Sequence, residues 1–154
     1  MKSLDIAKDI VYLCNDEKIK FNNTKIQKLL YLFVGFCLIN NIDEILNIDE
    51  KPKLWPYGPV FPNVHKKYES LKNYLGDKII STDNEKIKNI LTETVKKWGH
   101  IPAGKLSAWT HIEDSPWDIL YKKGAKWNTE MDLYLIKMYF LRRVENVVEY
   151  EEVV

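Results

Sequence analysis

The sequence predicts a mainly α, single-domain fold: a bundle of about six to seven short helices, with a small β-hairpin or edge strand near residues 44–56 and 143–151. Three observations lead there. Apolar residues recur at helical spacing in segment after segment, with asparagine, glycine and proline at the segment ends. One stretch, Leu54-Trp55-Pro56-Tyr57-Gly58-Pro59-Val60-Phe61-Pro62, is too rich in proline to be helical. The carboxyl-terminal tail mixes β-branched and aromatic residues with charges, which suits an edge strand as well as a helix.

The elements follow in order. Ala7, Ile10, Val11 and Cys14 recur at helical spacing after Ser3, a candidate N-cap. Thr24 and Gln27 form a capping-box pair ahead of a second helix, whose stripe is Ile26, Leu29, Leu30, Phe33 and Cys37, and Asn40-Asn41 offers its end. Between residues 42 and 53 neither period fits, and a short strand ending at Trp55 is expected. In the proline-aromatic stretch each proline fixes its own φ, removes an amide donor and pushes its predecessor out of the α region. That makes a rigid, extended, turn-containing connector carrying Trp55, Tyr57 and Phe61 in fixed directions. Val64, Tyr68, Leu71 and Leu75 continue as a helix closed by Gly76. Asp83 caps the next, with Ile87, Ile90, Leu91, Val95 and Trp98 inward and Gly99 as its stop. A short helix covers Ala103 to His111, and Ser115-Pro116 starts a brief one through Tyr121. The last begins at Asn128-Thr129, runs to about Leu141 and is apolar on most sides, which predicts a central position.

Composition limits the function classes. A chain of 154 residues, 45% hydrophobic and 29% charged, fits one soluble globular domain over residues 1–154. No window approaches the ~20 apolar residues of a membrane span, and Met1 to Asp5 lacks the apolar core of a secretory signal. Cys14 and Cys37 fall at apolar helix positions and read as buried free thiols, in keeping with a reducing cytoplasm. The net charge of +1 exerts no global pull on nucleic acid, although residues 51–124 hold 13 basic against 8 acidic side chains.

No Walker A loop, dinucleotide-binding glycine motif, HExxH, nucleophile elbow or CxxC occurs. His65 and His100 read as surface or helix-end residues without partners at metal-ligand spacing, so neither metal nor cofactor is expected. His111 stands three residues before Asp114; the pair suggests acid–base chemistry, a helix end in which His111 and Thr110 bond the turn leading to Pro116, or a contact to a partner. Trp98 belongs to a core stripe, whereas Trp55, Trp109, Trp117 and Trp127 lie at helix ends or connectors. There they either lock loops to the core or anchor a partner.

Three of these segments together carry a resemblance. Thr24-Lys25-Ile26-Gln27-Lys28-Leu29-Leu30-Tyr31-Leu32 resembles the conserved helix of the Panacea domain, the SocA-like antitoxin family also described as phage-associated GepA-type proteins. Leu54 to Pro62 resembles its tryptophan–YGPV–proline signature, and Lys105 to His111 with Ser115-Pro116-Trp117 its LS–TH–PW segment. Pro56 departs from the family's polar residue there, and Trp109 occupies a variable position. The resemblance spans roughly residues 4 to 141 and leaves the tail 142–154 outside it.

The resemblance implies an intracellular, cytoplasmic protein of bacteria or phages that is not an enzyme. Such a protein neutralises a toxin, encoded by an adjacent gene, through direct binding, and one member delivers its toxin to a protease. Tyr31, Trp55, Tyr57, Gly58, Pro59, His111 and Trp117 carry over from the motifs. The expected partner-binding residues are therefore Tyr31, Trp55, Tyr57, Pro59, His111 and Trp117, with no catalytic residue, metal or cofactor and with oligomeric state open. The rival readings are a hydrolase using His111 and Asp114, a nucleic-acid binder using the basic middle region, and an orphan phage protein acting on a host factor.

Overall fold

The structure is a computed structural model that describes residues 1–153, with side chains as far as Arg143. Its helices are α1 (Ser3–Asp16), α2 (Asn23–Ile39), α3 (Pro62–Lys66), α4 (Tyr68–Leu71), α5 (Glu85–Trp98), α6 (Ala103–Thr110), α7 (Pro116–Lys122) and α8 (Leu133–Val153). A 3-10 helix, Asp43–Asn47, fills the stretch that fitted neither period. Strands β1 (Lys53–Trp55) and β2 (Gly58–Val60) form one antiparallel hairpin. The mainly α fold with a small β element is as expected.

Helix α2, not α8, is the centre. Lys25 through Gly35, Cys37 and Leu38 are all buried, and α1, α5, α6 and α8 pack around them. A helix apolar on every side has nowhere else to go. On α8, by contrast, Tyr134 and Leu141 are exposed. Helices α2 and α8 approach so closely at Gly35 that a Cβ there would overlap the Phe140 ring. That ring is boxed in by Tyr31, Phe36, Trp109 and Tyr139.

Several predicted boundaries are corrected, each by a partner distant in sequence or by a neighbouring cap of equal quality. Ser3 lies inside α1; its N–H donates to Asp49 Oδ1 at 2.8 Å and its hydroxyl to Glu50 Oε2 at 2.6 Å. Asn22, rather than Thr24, caps α2 by accepting from the Lys25 N–H, and Asn84, rather than Asp83, caps α5. The helix after the hairpin breaks into α3 and α4 and stops at Leu71, leaving Leu75 exposed. The predicted ends at Asn40-Asn41, Gly99 and Ser115-Pro116 stand. Asn41 adopts a left-handed φ of 56°, and the Ser115 hydroxyl accepts from the Asp118 N–H.

The last helix starts at Leu133, later than Asn128-Thr129, because the preceding residues run beside β1. The Asn128 N–H donates to Leu54 O at 2.6 Å, Leu54 N–H to Thr129 O at 2.9 Å and Met131 N–H to Pro52 O at 2.8 Å. Residues 143–151 continue α8 past a non-helical Arg143 (φ −118°, ψ 15°) and form no edge strand. A strand needs an open edge, and neither edge of the hairpin is open: residues 128–131 occupy that of β1, and α2 side chains cover that of β2. Among the described residues, no helix is long and apolar enough to cross a membrane. Cys14 and Cys37 are buried free thiols.

Candidate functional site

The hairpin is shaped by its own residues first. Register pairs Lys53 with Val60, Leu54 with Pro59 and Trp55 with Gly58, leaving Pro56-Tyr57 as the link. Leu54 spends both backbone groups on residues 128 and 129. It therefore forms a non-hydrogen-bonded pair with Pro59, the register position at which a proline withholds nothing from its neighbour. Gly58 has φ +114°, and a Cβ there would sit 2.8 Å from Thr110 Oγ1 and 3.0 Å from Lys28 Nζ. Glycine is required on both counts.

The outer edge of β2 and its continuation face α2, whose polar side chains stand in for a third strand. Gln27 pairs with Phe61 as a peptide would, its Nε2 donating to Phe61 O at 3.0 Å and its Oε1 accepting from Phe61 N–H at 2.8 Å. One residue on, Lys28 Nζ donates to Pro59 O at 2.9 Å. From α6, the Ser107 hydroxyl donates to Tyr57 O at 3.1 Å, while Thr110 Oγ1 turns back to Ser107 O. From α7, Trp117 Nε1 donates to Trp55 O at 2.7 Å, and Trp55 Nε1 donates to Asn128 Oδ1 at 3.1 Å. The three motif segments, far apart in the chain, thus meet on one hairpin backbone. An unpaired buried backbone group costs about 1–3 kcal/mol, so these side chains hold the hairpin's position.

Of the six expected partner-binding residues, half reach the surface. Tyr57 at the hairpin tip is 79% exposed; Trp55 is partly buried with its ring centre 5.0 Å from that of His65 in an edge-on contact; His111 is partly buried against Trp117. Tyr31 lies in the core beside Phe140, and burial raises its phenol pKa. Pro59 is buried, and Trp117 retains only 8% exposure. These three support the surface from beneath. Trp117 also begins a stack of rings that continues through Tyr121 and Trp127, each half exposed. His111 and Asp114 do not pair: the Asp114 N–H donates to Asp118 Oδ2, and the His111 ring packs on Trp117. Among the described residues no cluster of His, Cys, Asp or Glu is placed to hold a metal ion.

Sequence reasoning missed Lys28. It is 3% exposed, no carboxylate pairs with it among the described residues, and burial pushes its pKa down to about 8. The signal was a lysine inside an otherwise apolar helical run. Lys28 lines a pocket of about 180 Å³ together with Thr24, Gln27, Trp55, Tyr57 and Ser107. At its side Asn23 Nδ2 meets His65 Nδ1 at 3.0 Å. A larger open depression of about 730 Å³, between α1, residues 77–83 and α5, is lined by none of the motif residues.

Comparison with protein families matches residues 26–118 to a model described as antitoxin SocA-like, Panacea domain. The matched stretch is shorter at both ends than the 4–141 over which the resemblance runs, and it contains α2 from Ile26, the hairpin, α6 and the start of α7. Comparisons with curated proteins and with solved structures give no match.

Proposed function

This chain belongs to the antitoxin SocA-like, Panacea-domain family, and we propose that it acts as an antitoxin, neutralising a toxin by direct contact through the hairpin face. The observation that carries this reading is Tyr57, a large aromatic 79% exposed at the tip of a hairpin whose backbone is tied down from α2, α6 and α7. A side chain presented on so fixed a backbone loses little conformational freedom on binding. Aromatic anchors of this kind dominate the energetics of protein interfaces. Tyr121 and Trp127, half exposed beside the hairpin, extend the same face. On this reading the protein has no catalytic step of its own and works by occupying its partner, which the adjacent gene encodes. Delivery of the bound toxin to a protease is a separate step, read from the toxin's half-life in cells.

Co-expression with a tagged product of the adjacent reading frame tests the proposal. The two proteins are expected to co-purify. Tyr57→Ala should weaken the complex by about 2 kcal/mol or more while leaving thermal stability within about 0.5 kcal/mol of the parent. Co-purification that survives Tyr57→Ala combined with Trp127→Ala would place the contact elsewhere and refute this face.

A further inference from the structure

We propose that the pocket between the first turns of α2 and the hairpin is a socket for the side-chain carboxylate of a glutamate or aspartate of the protein partner, with Lys28 as its counter-ion. The proposal rests on the reading of the hairpin face as the partner-binding surface. It starts from a charge without a complement. Lys28 is 3% exposed, its Nζ donates to a single backbone carbonyl, that of Pro59, and no described carboxylate approaches it. Buried charges in proteins are normally paired, since removing an ammonium from water without an opposite charge is expensive. Here the fold has already desolvated the lysine, and two of its three donor hydrogens remain for an incoming acceptor. A carboxylate arriving at this ammonium gains the attraction of a low-dielectric site without desolvating the lysine a second time.

The surroundings favour the same sign and shape of ligand. No aspartate or glutamate lines the pocket. Asn23 and Thr24 of the first turn of α2 line it, and a 17-residue helix carries partial positive charge at that end. The Thr24 hydroxyl offers a further donor, while the rings of Trp55 and Tyr57 suit the methylenes of an acidic side chain. A volume of about 180 Å³ corresponds to roughly six waters, enough for one such side chain and too little for a folded segment. Tyr57 belongs both to this wall and to the exposed tip, so the socket is continuous with the proposed interface.

The test is a titration of the ¹⁵N-labelled full chain, followed by NMR. The probes are N-acetyl-glutamate amide, its neutral glutamine counterpart, N-acetyl-alanine as the free acid, and inorganic phosphate. The blocked glutamate should give saturable shifts at the amides of Asn23, Thr24, Tyr57 and Ser107, the glutamine analogue none. Lys28→Met should weaken glutamate binding by about tenfold or more. Thr24→Val keeps the lysine, removes an exposed hydroxyl from the pocket wall and should weaken binding a few-fold, which guards against a variant that fails to fold. Equal shifts from the glutamine analogue, tighter binding of phosphate or of the free-acid alanine, or no saturable shift would each overturn the assignment. Co-purification failing while this titration succeeds removes the toxin reading and leaves the socket. The opposite result removes the socket alone.

Discussion

Replacing Lys28 with methionine measures what this fold spends on an unpaired buried charge. Methionine keeps the length and the apolar stem and removes the ammonium. The Lys28 pKa falls from 10.5 to about 8 because burial disfavours the charged form. The unfolded chain therefore binds this proton more tightly than the folded one. Below pH 8 the group costs about 3 kcal/mol of stability, and that cost is relieved as pH rises from about 8 towards 10.5. Losing the bond to the Pro59 carbonyl oxygen offsets about 1–3 kcal/mol of the gain. At pH 7 Lys28→Met should thus lie between neutral and about 2 kcal/mol more stable than the parent. The sharper readout is the difference between the two proteins in urea unfolding at pH 7.5 and pH 10. The parent should gain about 2 kcal/mol on the variant across that interval. Cys14, Cys37 and Tyr31, whose pKa values burial raises, destabilise both proteins alike as pH rises and cancel in the difference. Parallel pH profiles, or a parent that loses ground as pH rises, would refute an unpaired buried cation at this position.

Other outcomes follow from the same contacts. Gln27→Leu leaves the Phe61 N–H without a partner, while the Phe61 carbonyl oxygen keeps its bond from the His65 N–H, and should cost about 1–3 kcal/mol, lowering Tm by roughly 3–9 °C; hydrogen exchange should show hairpin amides losing protection more than those of α5. Gly35→Ala drives a methyl into the enclosed Phe140 ring and should cost about 1–3 kcal/mol, read by the same denaturation; an unchanged Tm would mean that α2 and α8 do not touch there. Cys14 and Cys37 are buried, with thiol pKa values pushed up to about 12. In native buffer they should react with a thiol-specific dye only as fast as the protein opens, and at full rate in urea.

Much of the fold was legible because helical periodicity is local. The stripe Ile26, Leu29, Leu30, Phe33 and Cys37 and the face Ile87, Leu91, Val95 and Trp98 are all buried, and each can be seen within a short continuous window of the chain. The strand ending at Trp55 was legible because three prolines left the backbone little choice. Caps were harder. In Asn22-Asn23-Thr24 and Asp83-Asn84 several side chains of similar capping strength stand in line, and small differences in entry angle choose among them. The tail misled for a different reason: its β-branched residues suited a strand, but an edge to pair with is a property of the assembled sheet.

The candidate site divides in the same way. The sequence alone marked the three segments that make it, identified the chain's family resemblance and singled out Trp55 and Tyr57, because residue type and order are written along the chain. It also counted Tyr31, Pro59 and Trp117 as contact residues, though the fold buries them beneath the hairpin. Only the tertiary structure showed Gln27 pairing with Phe61 across 34 positions and Lys28 reaching Pro59 across 31. It likewise brought Trp117 to Trp55 across 62. A side chain's propensity is set by its neighbours in sequence. Its burial, its hydrogen-bond partner and hence its charge state are set by whatever the packed chain brings beside it.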